Sequence, residues 1–155
     1  MRIRQLYPIL AAGVIVLGGV AGAGSASAAS PCVIGPGVTQ TDTTVHGSGG
    51  NDTIDCTGAS PGKTVYGYGG NDTVTGTSSA DTIHGGDGND TLTGGVGDDI
   101  LNGGLGIDTL SGSAGNDRLR GPGTDSAEDT LNGGVDTDSC GPVGVPPDLR
   151  DSCES

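Results

Sequence analysis

The chain has 155 residues, of which 33 are Gly and none is Phe or Trp, and its 19 acidic and 6 basic side chains give a formal net charge of -13. A chain this acidic repels nucleic-acid phosphates and anionic lipid headgroups, which excludes a nucleic-acid-binding or polybasic membrane-surface role and favours cations as partners. The lack of large aromatic side chains also excludes a core of interlocking helices or a wide β-sandwich.

Residues 1–28 have the pattern of a secretory signal peptide. Arg2 and Arg4 precede an apolar run over residues 9–20, and Ala26-Ser27-Ala28 offers a small-residue cleavage site. The apolar run is shorter than the roughly 20 residues that span a bilayer, which disfavours a membrane anchor. We therefore expect a secreted, extracellular protein without a membrane association after cleavage. Cleavage removes two arginines and no acidic residue, so the net charge becomes -15.

The central part of the chain is an internal repeat of nine residues. Six contiguous copies fill residues 67–120, and each copy has Gly first, Asp sixth and an apolar side chain eighth. One copy is too small to bury its apolar side chain alone, so the copies must stack into a ladder of short parallel strands around a thin core. The expected core residues are Ile54, Val65, Val74, Ile83, Leu92, Leu101, Leu110, Leu119 and Leu131.

The repeat is less regular at both ends of the array. A good copy at residues 47–55 is followed by a coil with two extra residues and with Lys63 in place of Asp, and three extra residues precede the copy at 133–140. These limits predict four segments: a signal peptide (1–28), an N-terminal cap (29–46), the repeat domain (47–140) and a C-terminal tail or cap (141–155).

The repeat resembles the RTX, or hemolysin-type, calcium-binding nonapeptide G-G-x-G-x-D-x-U-x, in which U is a large apolar residue. The match is close over residues 67–120 and looser over 47–140. The resemblance implies an all-β fold, a parallel β-roll (solenoid) with two repeats per turn. It also implies that each Ca²⁺ lies between two loops one turn apart. The ligands would be Asp carboxylates and backbone carbonyls of the Gly-rich loops, which are the oxygen donors that Ca²⁺ takes.

Carried onto this chain, the resemblance implies about four Ca²⁺ sites between aspartates 18 residues apart. The pairs are Asp72 with Asp90, Asp81 with Asp99, Asp90 with Asp108, and Asp99 with Asp117. We expect the Asp81–Asp99 site to be the weakest, because Ser79 replaces the third Gly of its loop. Asp52, Asp129 and Asp138 are off this spacing, and we include Asp52 and Asp138 among the expected ligands. The loop glycines expected at the sites are Gly67, Gly70, Gly85, Gly86, Gly88, Gly94, Gly95, Gly97, Gly103, Gly104 and Gly106.

Calcium is expected to be a folding partner of this chain. Carboxylates stacked about 5 Å apart, one per layer of parallel strand, would repel one another without a bridging cation. A series of Gly-Asn-Asp turns that needs no ion is the alternative interpretation. We predict a chain that is mostly disordered without calcium and folds on binding it. His46 and His84 are expected to face solvent and not to share a metal ion.

Four cysteines, Cys32, Cys56, Cys140 and Cys153, flank the repeats, and export favours disulfides. Three connectivities are possible. We favour Cys32 with Cys56 and Cys140 with Cys153, because each pair would close one end of the roll as a cap.

The sequence offers no convincing catalytic group. Residues 58–62 read G-x-S-x-G around Ser60, but Pro61 lacks the backbone N–H that this motif needs for its oxyanion hole. The segment that starts at Asp136 begins like an EF-hand loop, but Cys140 replaces its third oxygen ligand. We therefore expect a calcium-binding module that is not an enzyme.

The alternative is an extracellular adhesion, structural or ice-contacting protein that uses a calcium-rigidified roll as its scaffold. Threonines on the outer strand faces would make the contact. A regular threonine array would favour ice, and we expect the array, which includes Thr73, Thr75, Thr91 and Thr93, to be broken by Leu101, Asn102, Ser111, Arg118 and Arg120.

Overall fold

The computed structural model describes residues 31–121, 127–141 and 149–154. Every regular element in these ranges is a β-strand. None of the described residues lies in a helix long and apolar enough to cross a membrane. The predicted signal peptide, residues 1–28, lies outside the described ranges.

The described strands form two sheets, and from the third strand onward they alternate between the two along the chain. They are β1 (Val33–Ile34), β2 (Thr39–Gln40), β3 (Thr44–His46), β4 (Thr53–Asp55), β5 (Thr64–Gly69), β6 (Thr73–Thr75), β7 (Thr82–Asp87), β8 (Thr91–Val96), β9 (Ile100–Leu105), β10 (Thr109–Ala114), β11 (Arg118–Arg120), β12 (Thr130–Val135), β13 (Ser139–Cys140) and β14 (Leu149–Asp151). The first sheet has the order β1-β4-β6-β8-β10-β12-β14, and the second has the order β13-β11-β9-β7-β5-β3-β2. The chain therefore winds as a parallel β-roll, and the predicted all-β solenoid fold is confirmed.

The strand register follows the nine-residue repeat. Thr73 pairs with Thr91 and Thr91 with Thr109, so one turn of the roll is two repeats long. Where the sequence has extra residues, Thr53 still pairs with Thr73, and Thr109 still pairs with Thr130. The insertions therefore fall between the paired strands and leave the register of the sheets unchanged.

The core is a single layer of side chains between the two sheets. All nine residues predicted to line it are at most 1% exposed. Alternate strand residues face opposite sides, so the eighth position of each repeat points inward while its neighbours face outward. Val45 also lies in this layer, fully buried and paired with Val65.

The ladder of strands extends beyond both predicted boundaries of the repeat domain. At the N-terminal end β3 already pairs in parallel with β5. At the other end β14 pairs in parallel with β12, and Ser139 forms a bridge with Glu154. Backbone pairing in a sheet does not require the Gly and Asp positions that define the repeat, so the pairing continues past residues 47 and 140.

Both ends of the roll carry a disulfide. Cys32 is bonded to Cys56, and Cys140 is bonded to Cys153, which is the connectivity favoured from the sequence. At the N-terminal end β1 and β2 run antiparallel to β4 and β3. These short strands cover the edge of the stack, which limits edge-to-edge association with other chains.

The outer faces of the two sheets differ, and the expectation of a broken threonine array was only partly right. Ser111 does follow Thr93 in the first sheet, but the other four residues named as interruptions lie in the second sheet. Thr53, Thr73, Thr91, Thr109 and Thr130 occupy one column on successive strands of the first sheet, and all five are exposed. Asn102, Arg118 and Arg120 lie in the second sheet, and Leu101 points into the core. The sequence order mixes two faces that the roll separates, because successive repeats belong to opposite sheets.

Candidate metal centre

The sixth residues of the repeats form two columns, each just before the strands of one sheet. Column one contains Asp52, Asp72, Asp90, Asp108 and Asp129, and column two contains Lys63, Asp81, Asp99, Asp117 and Asp138. Every aspartate in the two columns is at most 5% exposed. Buried carboxylates in such numbers require partners, because an isolated charge in a low-dielectric interior is costly.

Each column is held together by hydrogen bonds from backbone to carboxylate. The N–H of Asp72 donates to Oδ1 of Asp90 over 2.8 Å, and the N–H of Asp90 donates to Oδ1 of Asp108 over 2.8 Å. In column two, Asp81 donates to Asp99 over 2.7 Å and Asp99 to Asp117 over 2.9 Å. The structure thus brings together all four aspartate pairs predicted from the 18-residue spacing.

The aspartates off that spacing join the same columns. The N–H of Asp52 donates to Asp72, that of Asp108 to Asp129, and that of Asp117 to Asp138, over 2.8, 2.9 and 2.8 Å. Asp129 was left open by the sequence analysis, although it begins the same Asp-Thr-Leu triplet as the regular copies. Glu154, which the repeat pattern does not predict, accepts the N–H of Asp138 over 2.6 Å. No sequence signal identified Glu154, because it lies outside any copy of the repeat.

Five column aspartates have a second carboxylate oxygen that no protein group bonds. Within the described residues, Oδ2 is buried and has no hydrogen-bond partner in Asp72, Asp90, Asp99, Asp117 and Asp138. Native proteins satisfy nearly all buried polar atoms, and an unsatisfied charged oxygen costs more than a neutral one. Each of these oxygens therefore needs either a proton or a positive ion.

Backbone carbonyl oxygens lie close to these carboxylate oxygens. A methyl group placed on Gly85 would overlap both Oδ2 of Asp90 and the carbonyl oxygen of Gly103, one turn further on. A methyl group on Gly67 would overlap Oδ2 of Asp72 and the carbonyl oxygen of Gly85 in the same way. We call such a space, bounded by a carboxylate and a carbonyl from successive turns, a cradle. Its donor set of hard oxygens fits Ca²⁺.

The loop glycines predicted at the sites take two places. Gly67, Gly85, Gly94 and Gly103 are first residues of their repeats and lie against Oδ2 of their own aspartates. Gly70, Gly86, Gly88, Gly95, Gly97, Gly104 and Gly106 have positive φ and turn the backbone. Within the described ranges, no group of three or more His, Cys, Asp or Glu side chains forms a metal-binding cluster.

The two histidines belong to a different part of the molecule. The His46 and Tyr66 rings stack with centroids 5.4 Å apart, and Tyr66 stacks on His84 at 5.2 Å. These rings stand on the outer face of the second sheet, away from the carboxylate columns, because they flank the inward residue of each strand.

Burial raises the pKa of several column carboxyls. The pKa of Asp99 rises to about 7, chiefly because burial penalises its charged form and also because Asp81, Asp117 and Asp98 repel it. Burial, reinforced by Asp90 and Asp52, raises the pKa of Asp72 to about 6, against the opposing hydrogen bond from the Asp52 N–H. Burial also raises the pKa values of Asp90 and Asp117. The columns therefore attract positive charge, as a proton or as a metal ion.

Two loops satisfy their aspartates without any ion. Oδ2 of Asp52 accepts the N–H of Ser48 over 2.6 Å and its hydroxyl over 3.0 Å. Oδ2 of Asp81 accepts the N–H of Thr77 over 2.5 Å, and the Thr77 hydroxyl reaches Oδ1 over 3.3 Å. Ser48 and Thr77 occupy the second repeat position, where Gly86 has a φ of +123° instead.

The predicted weakness of the Asp81–Asp99 site was attributed to Ser79. In the structure it is Thr77 that contacts the Asp81 carboxylate, through its N–H and its hydroxyl. The Ser79 backbone bonds only the Thr77 hydroxyl. The low affinity of this site remains a prediction.

Comparison with known proteins agrees with this geometry. A family model, the RTX calcium-binding nonapeptide repeat, matches in four copies over residues 39–55, 66–101 and 93–121. No curated protein and no solved structure matches the chain. The matched residues include Asp72, Asp90 and Asp99, whose second oxygens lack partners. By its repeats and its β-roll, the chain therefore contains RTX calcium-binding nonapeptide repeats.

Proposed function

We propose that the protein is a secreted calcium-binding module, without enzymatic activity, whose roll folds when Ca²⁺ enters the cradles. The single observation that carries this proposal is the set of five buried Oδ2 atoms without partners. When bound, Ca²⁺ would supply the positive charge that these oxygens lack. Asp72, Asp90, Asp99, Asp117 and Asp138 would hold it, together with carbonyl oxygens such as those of Gly85 and Gly103.

Folding and calcium binding are coupled in this proposal. The core is one side chain thick, so little apolar burial is available to offset unsatisfied carboxylates. An ion that binds the folded roll but not the unfolded chain stabilises the roll by mass action. In low intracellular calcium most of the chain would stay unfolded, and its folding would be completed after export.

The extracellular location is supported by two features. Residues 1–28 have the signal-peptide pattern, and the cysteines of the described ranges are paired in disulfides, which form in oxidising compartments. Expression of the full chain in a secreting host, followed by N-terminal sequencing of the medium, tests this part. A new N-terminus at Ala29 is expected, and retention of the intact chain inside the cells would overturn the assignment.

Calorimetric titration of the oxidised chain without residues 1–28 tests the metal. We expect several Ca²⁺ ions to bind, about four on the spacing of the repeats, and no comparable heat with Mg²⁺, which requires a rigid octahedral site and dehydrates reluctantly. Equal binding of the two ions, or no binding of Ca²⁺ at millimolar concentration, would contradict the proposal.

A contact role for the first sheet is the second candidate function. Its outer face presents five exposed threonines in register, beside a second column that contains Thr75, Thr93 and Ser111. Strands about 4.8 Å apart space the five threonines of the first column regularly, in an arrangement that could order water or contact ice. The second column is less regular, because Asp55 precedes Thr75 and Asn132 follows Ser111.

Ice recrystallisation assays on the calcium-loaded protein test this second function. Thr91→Val should abolish the activity, and Thr82→Val, on the other sheet, should not. Wild-type protein without any effect on ice growth would rule out ice contact.

A further inference from the structure

Column two begins with a lysine. Thr64 pairs with Thr82, so Lys63 holds the position one turn before Asp81. The backbone N–H of Lys63 donates to Oδ1 of Asp81, as each aspartate N–H does in the columns. Lys63 is therefore a full member of the column, with an ammonium group where the other members carry a carboxylate.

The Lys63 side chain lies inside the roll and binds backbone oxygens. Lys63 is only 2% exposed. Its Nζ donates to the carbonyl oxygen of Asp42 and, over 3.2 Å, to the carbonyl oxygen of Ser60. Asp42 lies 21 residues earlier, just before β3, so the ammonium links two successive coils through their carbonyls. Cation and carbonyl oxygens from two coils are the combination that the cradles would form with Ca²⁺.

Nearby positions are also satisfied without an ion. Asp52 is bonded by Ser48 and Asp81 by Thr77, and neither has an unpartnered second oxygen. Asp72 is the exception at this end, since its Oδ2 has no partner. By contrast, Asp90, Asp99, Asp117 and Asp138 further along the roll each keep a buried Oδ2 without a hydrogen-bond partner among the described residues.

The same end of the roll is fixed by covalent and backbone bonds. The Cys32–Cys56 disulfide joins the N-terminal segment to the strand β4, and β2 pairs with β3. We infer that the N-terminal coils form a calcium-independent nucleus in which the Lys63 ammonium takes the place of a calcium ion. Coils from Asp90 onward then fold upon it as they bind calcium. This inference rests on the proposed function for its second half only.

A folded nucleus at one end of the roll would help the next coils to fold, because coils in a solenoid stack on their nearest neighbours. In a solenoid each coil contacts only the coils beside it, so a coil that is already folded offers the next coil a paired edge. The first coil of a solenoid is the costliest to form, because it has no folded neighbour. If protein groups neutralise and bond the buried charges of the first coils, these coils can fold without calcium, and the later coils then have a folded neighbour.

Hydrogen exchange of the wild-type oxidised chain in chelator tests the inference at two matched amides. The Thr82 amide donates to the Lys63 carbonyl, and the Thr109 amide donates to the Asp90 carbonyl, both over 2.8 Å. In each case the hydrogen bond joins two successive turns of the roll. We expect the Thr82 amide to exchange at least about tenfold more slowly than the Thr109 amide in chelator, and both to be protected with calcium. Equal exchange at the two amides in chelator would overturn the nucleus.

Two substitutions test the part played by Lys63. Lys63→Met keeps most of the apolar stem and removes the ammonium, so protection of Thr82 in chelator should fall to that of Thr109. Arg118→Met, on the exposed face of the second sheet, is the control and should leave Thr82 protected. Unchanged protection in Lys63→Met would show that the ammonium does not replace an ion.

Lys63→Asp restores the repeat consensus and supplies a gain-of-site test. We expect this variant to bind one more Ca²⁺ than the wild type and to protect Thr82 only when calcium is present. An unchanged stoichiometry would contradict the assignment of Lys63 to an ion position. If wild-type protein bound no calcium, the proposed function would fail, while the comparison of Thr82 with Thr109 in chelator would still decide whether the nucleus exists.

Discussion

At the scale of single residues, each column carboxylate uses its two oxygens differently. Oδ1 of Asp90 accepts the N–H of Asp72 and so fixes the distance between successive turns. Oδ2 of Asp90 is buried without a partner, beside the Gly103 carbonyl. The first oxygen therefore builds the fold, and the second provides the site for a cation.

Substituting Asp90 tests this division. Asp90→Asn keeps an oxygen that can accept the Asp72 N–H but removes the charge, so we expect the loss of about one bound Ca²⁺. Losing one Ca²⁺ site with the affinity typical of extracellular proteins should lower the free energy of unfolding by about 1 kcal/mol at millimolar calcium. Titration calorimetry and thermal unfolding in calcium measure both effects.

Asp87→Asn is the matched control, because Asp87 is an exposed acidic residue at the end of β7, three positions before Asp90. It removes the same charge from the protein without touching a column. If Asp87→Asn and Asp90→Asn lowered calcium binding equally, net charge rather than the cradle would explain the affinity.

The raised carboxyl pKa values predict opposite pH effects with and without calcium. The pKa is about 7 for Asp99 and about 6 for Asp72 in the roll, above the ordinary aspartate value of 3.8. Without calcium the roll thus holds protons more tightly than the unfolded chain does. This contribution to stability is fully present below pH 3.8 and is lost as pH rises through about 6 to 7.

Circular dichroism at several pH values measures this effect. In chelator, strand content should rise as pH falls from 8 to 5. With limiting calcium, the midpoint calcium concentration should rise over the same range, since protons compete with the ion. A calcium midpoint independent of pH between 5 and 8 would show that these carboxyls do not bind the metal.

At the scale of the elements, the glycine before each cradle is a steric requirement. Gly85→Ala would place a methyl group against Oδ2 of Asp90 and the Gly103 carbonyl. We expect this substitution to cost about 1–3 kcal/mol, as overpacking does, and to weaken calcium binding. Gly49→Ala is the control, because a methyl group there meets no atom within 4 Å. Equal melting temperatures for the two variants in calcium would contradict the cradle.

The strands were the most predictable elements of this protein. The nine-residue period fixes which side chain of each strand points inward, and Leu92, Leu101 and Leu110 are fully buried as predicted. The aspartate pairs followed from the same period. Val45 was missed because it precedes the first copy of the repeat, although it pairs with Val65 like any core residue.

Other features depend on contacts that no local pattern encodes. Lys63 reads as an interruption of the repeat, yet its backbone continues column two. Thr77 reads as a departure from Gly, yet it bonds Asp81. Glu154 lies outside the repeats in the sequence. It contacts Asp138 in column two because it forms a β-bridge with Ser139.

At the scale of the whole molecule, the two sheets give the roll two chemically distinct faces. The first sheet presents the threonine column, and the second presents the stacked rings of His46, Tyr66 and His84. Alternation of repeats between sheets hides this distinction in the linear sequence. A partner of the folded protein would therefore meet either hydroxyl groups or rings, according to the face it contacts.

Disulfides stabilise the two ends of the roll, and buried carboxylates lie along the roll between them. The two disulfides close the first and last coils, while the unpartnered oxygens run from Asp72 to Asp138 between them. The disulfides alone cannot neutralise those oxygens. Calcium is thus expected to control whether the interior coils are folded.

Far-UV circular dichroism of the oxidised chain without residues 1–28, titrated with calcium from chelator at pH 7.5, tests this central claim most directly. We predict a cooperative gain of strand signal with Ca²⁺ and no such gain with Mg²⁺, starting from a spectrum that is mostly disordered with a small strand component from the N-terminal coils. A full strand spectrum already present in chelator, and unchanged by calcium, would contradict the account.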